Sequence, residues 1–239
     1  MQAVILAGGL GTRQRPVTEA IPKAMISVAG RPFIDHQIEL LRGCGIDDFV
    51  LCVGYLGSLI EEHLGSGESL GVRVRYSWDG PELLGPAGAL KRATGLVQDR
   101  FFVTYGDAYL RAPYQKVMRA LVSSRRAGLM TVYRNEGRYG TSDVATRAGL
   151  VTRYDKHDIT GKLRWINFGL SALRRRALEL IPAGRPCGEE EFYGALVKRR
   201  QLAAFEVRER FYEIGTPSSL AEFESFLAGR SRSVTSHTT

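Results

Sequence analysis

The chain has 239 residues, is 44% hydrophobic and 24% charged, and carries 33 basic against 25 acidic side chains, for a formal net charge of +8. That composition excludes a disordered or collagen-like chain, and no stretch approaches the roughly 18 consecutive apolar residues of a membrane span. Cys44, Cys52 and Cys187 are odd in number and far apart, which excludes a disulfide framework and makes a reduced, cytoplasmic protein the expectation.

The opening residues lack a basic stretch before their apolar run and do not read as a signal peptide. Residues 3–7 are apolar and stop at Gly8-Gly9, the pattern of a buried strand entering a glycine loop. A helix is expected over 33–44, where Ile34, Ile38 and Leu41 recur at helical spacing before Gly43 and Gly45. Strands follow at 49–53, 72–76, 101–105 and 129–133, separated by helices at 56–64, 87–94 and 114–124. This alternation predicts an α/β fold, Rossmann-like, with a mixed but mostly parallel sheet flanked by helices. Farther on, strands at 149–155 and 163–173 read as a small antiparallel lobe. Helices are expected at 174–180, 189–200 and 218–227, with short strands near 203–207 and 211–214. One domain over 1–228 and a polar, disordered tail over 229–239 complete the reading.

Of the basic residues, 27 are Arg and 6 are Lys, and the densest clusters are Arg174-Arg175-Arg176 and Lys198-Arg199-Arg200. Both sit among apolar residues at helical spacing, so solvated helix faces are the favoured reading over nucleic acid. A basic cleft for a phosphorylated small molecule is the other class the charge allows. His36, His63, His157 and His237 form no zinc pattern with the cysteines.

The chemistry concentrates after the first strand, in Leu6-Ala7-Gly8-Gly9-Leu10-Gly11-Thr12-Arg13 and Pro22-Lys23. Bare backbone N–H groups in a glycine loop can approach a phosphate closely. The dinucleotide fingerprint fails because Gln14 stands where its third glycine belongs, and a P-loop fails because no Lys follows the glycines. What remains is a long loop with two cations, Arg13 and Lys23, suited to wrapping a triphosphate.

Gly8-Gly9-Leu10-Gly11-Thr12-Arg13, Pro16, Thr18, Pro22-Lys23 and Gly30-Arg31-Pro32 together resemble the signature of the sugar-1-phosphate nucleotidyltransferases. Leu84-Gly85-Pro86-Ala87-Gly88-Ala89-Leu90 is similar to that family's base-contacting loop, with Pro86 in place of the usual Thr. Tyr105-Gly106-Asp107 resembles its metal site, and an Asp at the end of a parallel strand suits Mg²⁺ on physical grounds as well. Asp155-Lys156, Asn167 and Gly140 fall where the family holds the sugar and its phosphate, with Asp155 replacing Glu. Tyr212-Glu213-Ile214-Gly215-Thr216-Pro217 resembles the segment carrying a second metal carboxylate, here Glu213 in place of Asp.

The resemblance implies an enzyme that joins an NTP to a sugar 1-phosphate with Mg²⁺, giving an NDP-sugar and pyrophosphate. Arg13 and Lys23 would be catalytic. Leu6, Ala7, Gly8, Gly9, Gly11, Thr12, Gly80, Gly85, Gly88 and Gly106 would bind the nucleotide. The texture is closest to small bacterial members acting with GTP on mannose- or heptose-type 1-phosphates. Gly80 falls where uridylyl relatives place a base-reading Gln, leaving room for a purine, and Asp79 or Glu82 could accept from guanine N–H groups. A uridylyl-, thymidylyl- or cytidylyltransferase, or a non-catalytic nucleotide-sugar binder, is the alternative. No nucleic acid or membrane partner is expected, and a homo-oligomer is left open.

Overall fold

The structure, a computed structural model, describes residues 1–14 and 16–235, with Arg13 and 230–235 described by their backbone alone. In chain order the first half runs β1 (Gln2–Leu6), α1 (Val17–Ala20), β2 (Ser27–Val28), β3 (Arg31–Pro32), α2 (Phe33–Gly43), β4 (Asp48–Val53), α3 (Gly57–Leu64), β5 (Arg73–Trp78), α4 (Gly85–Arg92) and β6 (Arg100–Tyr105). The second half runs β7 (Ala108–Leu110), α5 (Tyr114–Ser124), β8 (Gly128–Arg134), β9 (Val144–Arg147), β10 (Leu150–Tyr154), β11 (Trp165–Arg174), α6 (Glu189–Lys198), β12 (Leu202–Val207), β13 (Phe211–Glu213) and α7 (Pro217–Thr235).

Nine strands form one sheet in the order β5-β4-β1-β6-β11-β8-β12-β10-β9. Strands β5, β4, β1 and β6 are mutually parallel, and β8 and β12 are parallel to each other. Strand β11 runs antiparallel between β6 and β8. The C-terminal ends of β1, β4, β5 and β6 therefore open on one edge, where ligands bind in sheets of this kind.

Helices cover both faces, which is why β1 and β4 read as unbroken apolar runs. Ala3 and Ile5 pack with Ile34, Ile38 and Val117 on one side, while Val4 packs with Leu90, Phe192 and Leu196 on the other. The side-chain period of two in a strand divides the two layers. A third cluster joins Phe33, Tyr109, Ile214 and Phe223, seating α7 against the β7–β13 ribbon.

The expected fold class holds, with differences in detail. The antiparallel part is continuous with the main sheet, since β9 and β10 form its edge beside β12. The stretch after β11 is a 3-10 helix over Arg175–Leu180. Helix α7 continues past 227 and takes in 229–235 of the expected tail. Gly229 does not act as a stop there, because a single helical glycine costs only about 1 kcal/mol. The remaining tail, 236–239, lies outside the described residues.

Candidate active site

The glycine loop extends the pairing of β1 by one residue, with the Ala7 N–H donating to Cys52 O at 2.8 Å. It then passes so close to the end of β4 that a Cβ on Gly8 would stand 3.2 Å from Gly54 N. Gly11 has φ +61°, and a Cβ there would meet Thr18 Cγ2 at 2.9 Å. The Thr18 hydroxyl donates to Gly11 O at 2.8 Å, and Gln14 Nε2 donates to Ile214 O at 2.8 Å. Gln14, read in the sequence only as a missing glycine, thus ties the loop to the segment after β13.

Asp107 follows β6 through Gly106, whose N–H donates to Leu6 O at 2.9 Å. A Cβ at Gly106 would stand 3.0 Å from that of Ala7, so the two strand ends need this glycine to lie side by side. Buried Gln37 on α2 donates from Nε2 to both Tyr105 O and Ala108 O at 2.7 Å, clamping the backbone on either side of Asp107. Lys23, held just after Pro22 by a short 3-10 turn, places Nζ 2.6 Å from Asp107 Oδ2.

Between these elements lies a cleft of about 240 Å³. Of the residues expected to bind the nucleotide, Leu6, Ala7, Gly8, Gly9, Gly11, Gly85 and Gly106 line it, together with Lys23, expected to be catalytic, and Asp107, expected to hold a metal. Buried Asp79 also faces it, and its Oδ2 accepts the Leu84 N–H at 3.1 Å. Burial pushes the Asp79 carboxyl above its ordinary range. Thr12, Gly80, Glu82 and Gly88 are not among the lining residues. Gly88 packs on the far side of its loop, where a Cβ would stand 2.9 Å from Leu84 Cβ and 3.4 Å from Cys187 N. In the first turn of α4, Cys187 O accepts from the Ala87 and Gly88 N–H groups at 3.1 and 3.2 Å. The side chain of Arg13 lies outside the described residues.

Glu213 stands opposite Ala108 in the β7–β13 ladder, and the Ile214 N–H donates to Asp107 O at 3.0 Å. Asp107, in the turn just before β7, and Glu213, at the end of β13, are therefore neighbours: Glu213 pairs with the residue that follows Asp107. Gly215 makes room for the Glu213 carboxylate, which would lie 2.6 Å from a Cβ at that position. No group of three or more His, Cys, Asp or Glu that could hold a metal gathers among the described residues. Asp107 lines the cleft and Glu213 is not among its lining residues; hard carboxylates of this kind suit Mg²⁺, which seldom takes a full protein cage.

Beyond Tyr105 a second polar cluster surrounds Lys156. Its ammonium pairs with Glu189, a mostly buried carboxylate at the start of α6 that also accepts from the Tyr105 hydroxyl. Asp143, buried beside them, accepts the Asn167 N–H through Oδ1 at 2.8 Å, and its carbonyl accepts the Asp155 N–H at 2.8 Å. Burial pushes the Asp143 carboxyl up to about 6, opposed by the Asn167 N–H. Asn167 Oδ1 accepts from Gly169 N at 3.1 Å. The expected Asp155, just past β10, turns its carboxylate back to within 2.8 Å of Arg153. Gly140 contributes its carbonyl to the Asn135 side chain at 3.1 Å. The structure thus gathers Lys156 and Asn167, pairs Asp155 elsewhere, and adds Glu189 and Asp143. The only sequence trace of Glu189 is the acidic run Glu189-Glu190-Glu191 opening α6.

Comparison with known proteins agrees with this geometry. The family model described as nucleotidyl transferase matches residues 2–229. The catalytic subunit beta of mannose-1-phosphate guanylyltransferase from Xenopus tropicalis is 30% identical over 91% of this chain and 62% of its own length. A mannose-1-phosphate guanyltransferase from Saccharomyces cerevisiae is 31% identical over 96% of this chain and 63% of its own. The chain thus spans somewhat under two thirds of these relatives. The structure of HddC from Yersinia pseudotuberculosis complexed with GMP-PN superimposes with a TM-score of 0.77 at 25% identity, covering 95% of this chain and 99% of that one. UDP-glucose pyrophosphorylase from Acinetobacter baumannii shares the fold, with a TM-score of 0.75 at 19% identity over 93% of this chain and 91% of that one. From the glycine loop to the Asp107 turn and across its full sheet, this chain belongs to the nucleotidyl transferase family.

Proposed function

We propose that the protein transfers a guanylyl group from GTP to a manno-configured sugar 1-phosphate, in the cytoplasm, releasing pyrophosphate and forming a GDP-sugar. The observation that carries this reading is the convergence of the glycine loop, Lys23 and Asp107 on one cleft at the parallel strand ends. Similarity to mannose-1-phosphate guanylyltransferases and to a structure holding a guanine-nucleotide analogue supports the choice of base and sugar.

The sugar phosphate is already anionic, so its oxygen attacks the α-phosphorus without a general base. Catalysis then consists of holding two polyanions in line and stabilising developing charge. The glycine-loop N–H groups and Arg13 hold the β- and γ-phosphates. Lys23 leaves Asp107 for the α-phosphate as the nucleotide enters. Lys156, steadied by Glu189, receives the sugar phosphate, with Asn167 beside the sugar. Asp107 and Glu213 would hold Mg²⁺, which when bound neutralises phosphate charge. Of the two carboxylates expected to read guanine, Asp79 is the one on the cleft. With Oδ2 given to Leu84, its Oδ1 is left to accept from the base.

A pyrophosphate-release assay of five NTPs against several sugar 1-phosphates tests this reading. GTP with mannose 1-phosphate or a manno-heptose 1-phosphate should give the highest kcat/KM. A pyrimidine triphosphate that outperforms GTP by about tenfold or more would overturn the base assignment.

A further inference from the structure

The excess positive charge of this chain is gathered at the end of the sheet opposite the cleft. Arg100 opens β6 directly beside Arg174, which closes β11. Arg174 Nε donates to Arg126 O at 3.1 Å, Arg126 Nη1 to Arg200 O at 3.0 Å, and Arg176 Nη2 to Arg125 O at 3.1 Å. The Arg175 N–H donates to Asp99 O at 2.8 Å, and Arg119 shares a surface hollow with Arg100. Residues 99–100, 119, 125–126, 174–176 and 198–200 are therefore one continuous face. They hold ten of the chain's 33 cations and one of its 25 acids, leaving the rest near neutrality with 23 against 24. Cations past the ends of α5 and α6 complement the helix dipoles, but that accounts for one or two charges per helix end and not for ten. Three of these guanidiniums are fixed by main-chain carbonyls, not by carboxylates, so their charge stays uncompensated.

Against the expectation from the sequence that no membrane partner exists, we infer that this face docks the protein on an anionic phospholipid surface. The hollow beside Arg100 and Arg119 is also lined by Met118 and exposed Val122, which pairs cations with aliphatic surface as a lipid headgroup and glycerol region require. The exposed aromatic rings among the described residues, Tyr55 and Trp78, lie on the chain after β4 and at the C-terminal end of β5, at the opposite end of the sheet, so the described part of this face offers nothing on which bases could stack. Strand β6 has six residues, so about 20 Å separate Arg100 from the cleft, which stays open to solvent when the face is occupied.

Flotation of the full chain with vesicles of phosphatidylcholine, alone or mixed with phosphatidylglycerol, tests the inference. The protein should float only with the mixed vesicles and be released as salt rises. The variant R119Q/R175Q/R199Q/R200Q should lose binding about 100-fold or more, with Tm and pyrophosphate release unchanged. Equal binding to both vesicle types, absence of binding at about 0.1 M salt, or undiminished binding by the variant would overturn it. So would tighter binding to duplex DNA than to the mixed vesicles at equal anion concentration.

Discussion

Lys23 and Asp107 form an ion pair of 2.6 Å across the mouth of the cleft, the lysine side chain 15% and the aspartate 25% exposed. They come from segments 84 residues apart and are the two charges that the proposed reaction must separate. While the pair is closed, the lysine stands at Asp107 Oδ2, where the proposed divalent cation would sit. Lys23→Ala should therefore tighten Mn²⁺ binding to the nucleotide-free protein, read by electron paramagnetic resonance. The same variant should lower turnover by about 10²–10³, the usual loss for one preorganised charge contact. Asp107→Asn should abolish both metal binding and most activity. Unchanged Mn²⁺ affinity in Lys23→Ala would show that the pair does not compete with the metal.

Glu213 tests the second carboxylate. Glu213→Ala should raise the Mg²⁺ concentration needed for half-maximal activity, while Glu213→Asp should retain activity. The β7–β13 register holds either acid one position from Asp107. Full activity of the wild-type protein in excess chelator would remove the metal role from both residues.

Gly85 is set by geometry more than by chemistry. It has φ +71°, and a Cβ would stand 2.8 Å from Cys187 O. Gly85→Ala should cost about 1–3 kcal/mol of stability through the strained backbone, and more if the clash is not relieved. Gly9, with nothing within 4 Å of its would-be Cβ, provides the contrast. Gly9→Ala should keep the wild-type Tm and weaken nucleotide binding. Equal Tm values for both variants would contradict the assigned role of Gly85.

Asp143 makes stability depend on pH. Burial lifts its carboxyl to about 6 from an ordinary value of 3.8, so folding favours the protonated form. Its favourable contribution is complete below pH 4 and is lost as pH rises through about 6. Asp143→Asn keeps an acceptor for the Asn167 N–H but cannot ionise. Its Tm should gain on wild type between pH 4 and 7 and then level off. Parallel Tm profiles for the two proteins would show that Asp143 is not lifted.

The parts legible in the sequence are those where backbone geometry forces a residue type. Gly11 and Gly85 sit where a Cβ would collide, Gly8 and Gly106 where it would be crowded, and the Pro22-Lys23 step delivers a cation to the cleft. Buried β1 and β4 were legible because helices on both faces remove the polar alternation. Gln37, Gln14 and Glu189 are not legible, because their partners lie 33 or more residues away and nothing local marks a side chain that bonds a distant carbonyl or ammonium. Asp155 was read as a sugar ligand from its place beside Lys156. Its short side chain reaches back to Arg153 near the end of β10, and Glu189 occupies the position beside the lysine.

The most direct test of the account is the stoichiometry of transfer from GTP to mannose 1-phosphate with Mg²⁺, followed by phosphorus NMR. GDP-mannose and pyrophosphate should form in equal amounts, with no GDP or free phosphate and no consumption of GTP when the sugar phosphate is left out. Release of phosphate from GTP alone, or binding of both substrates without turnover, would contradict it.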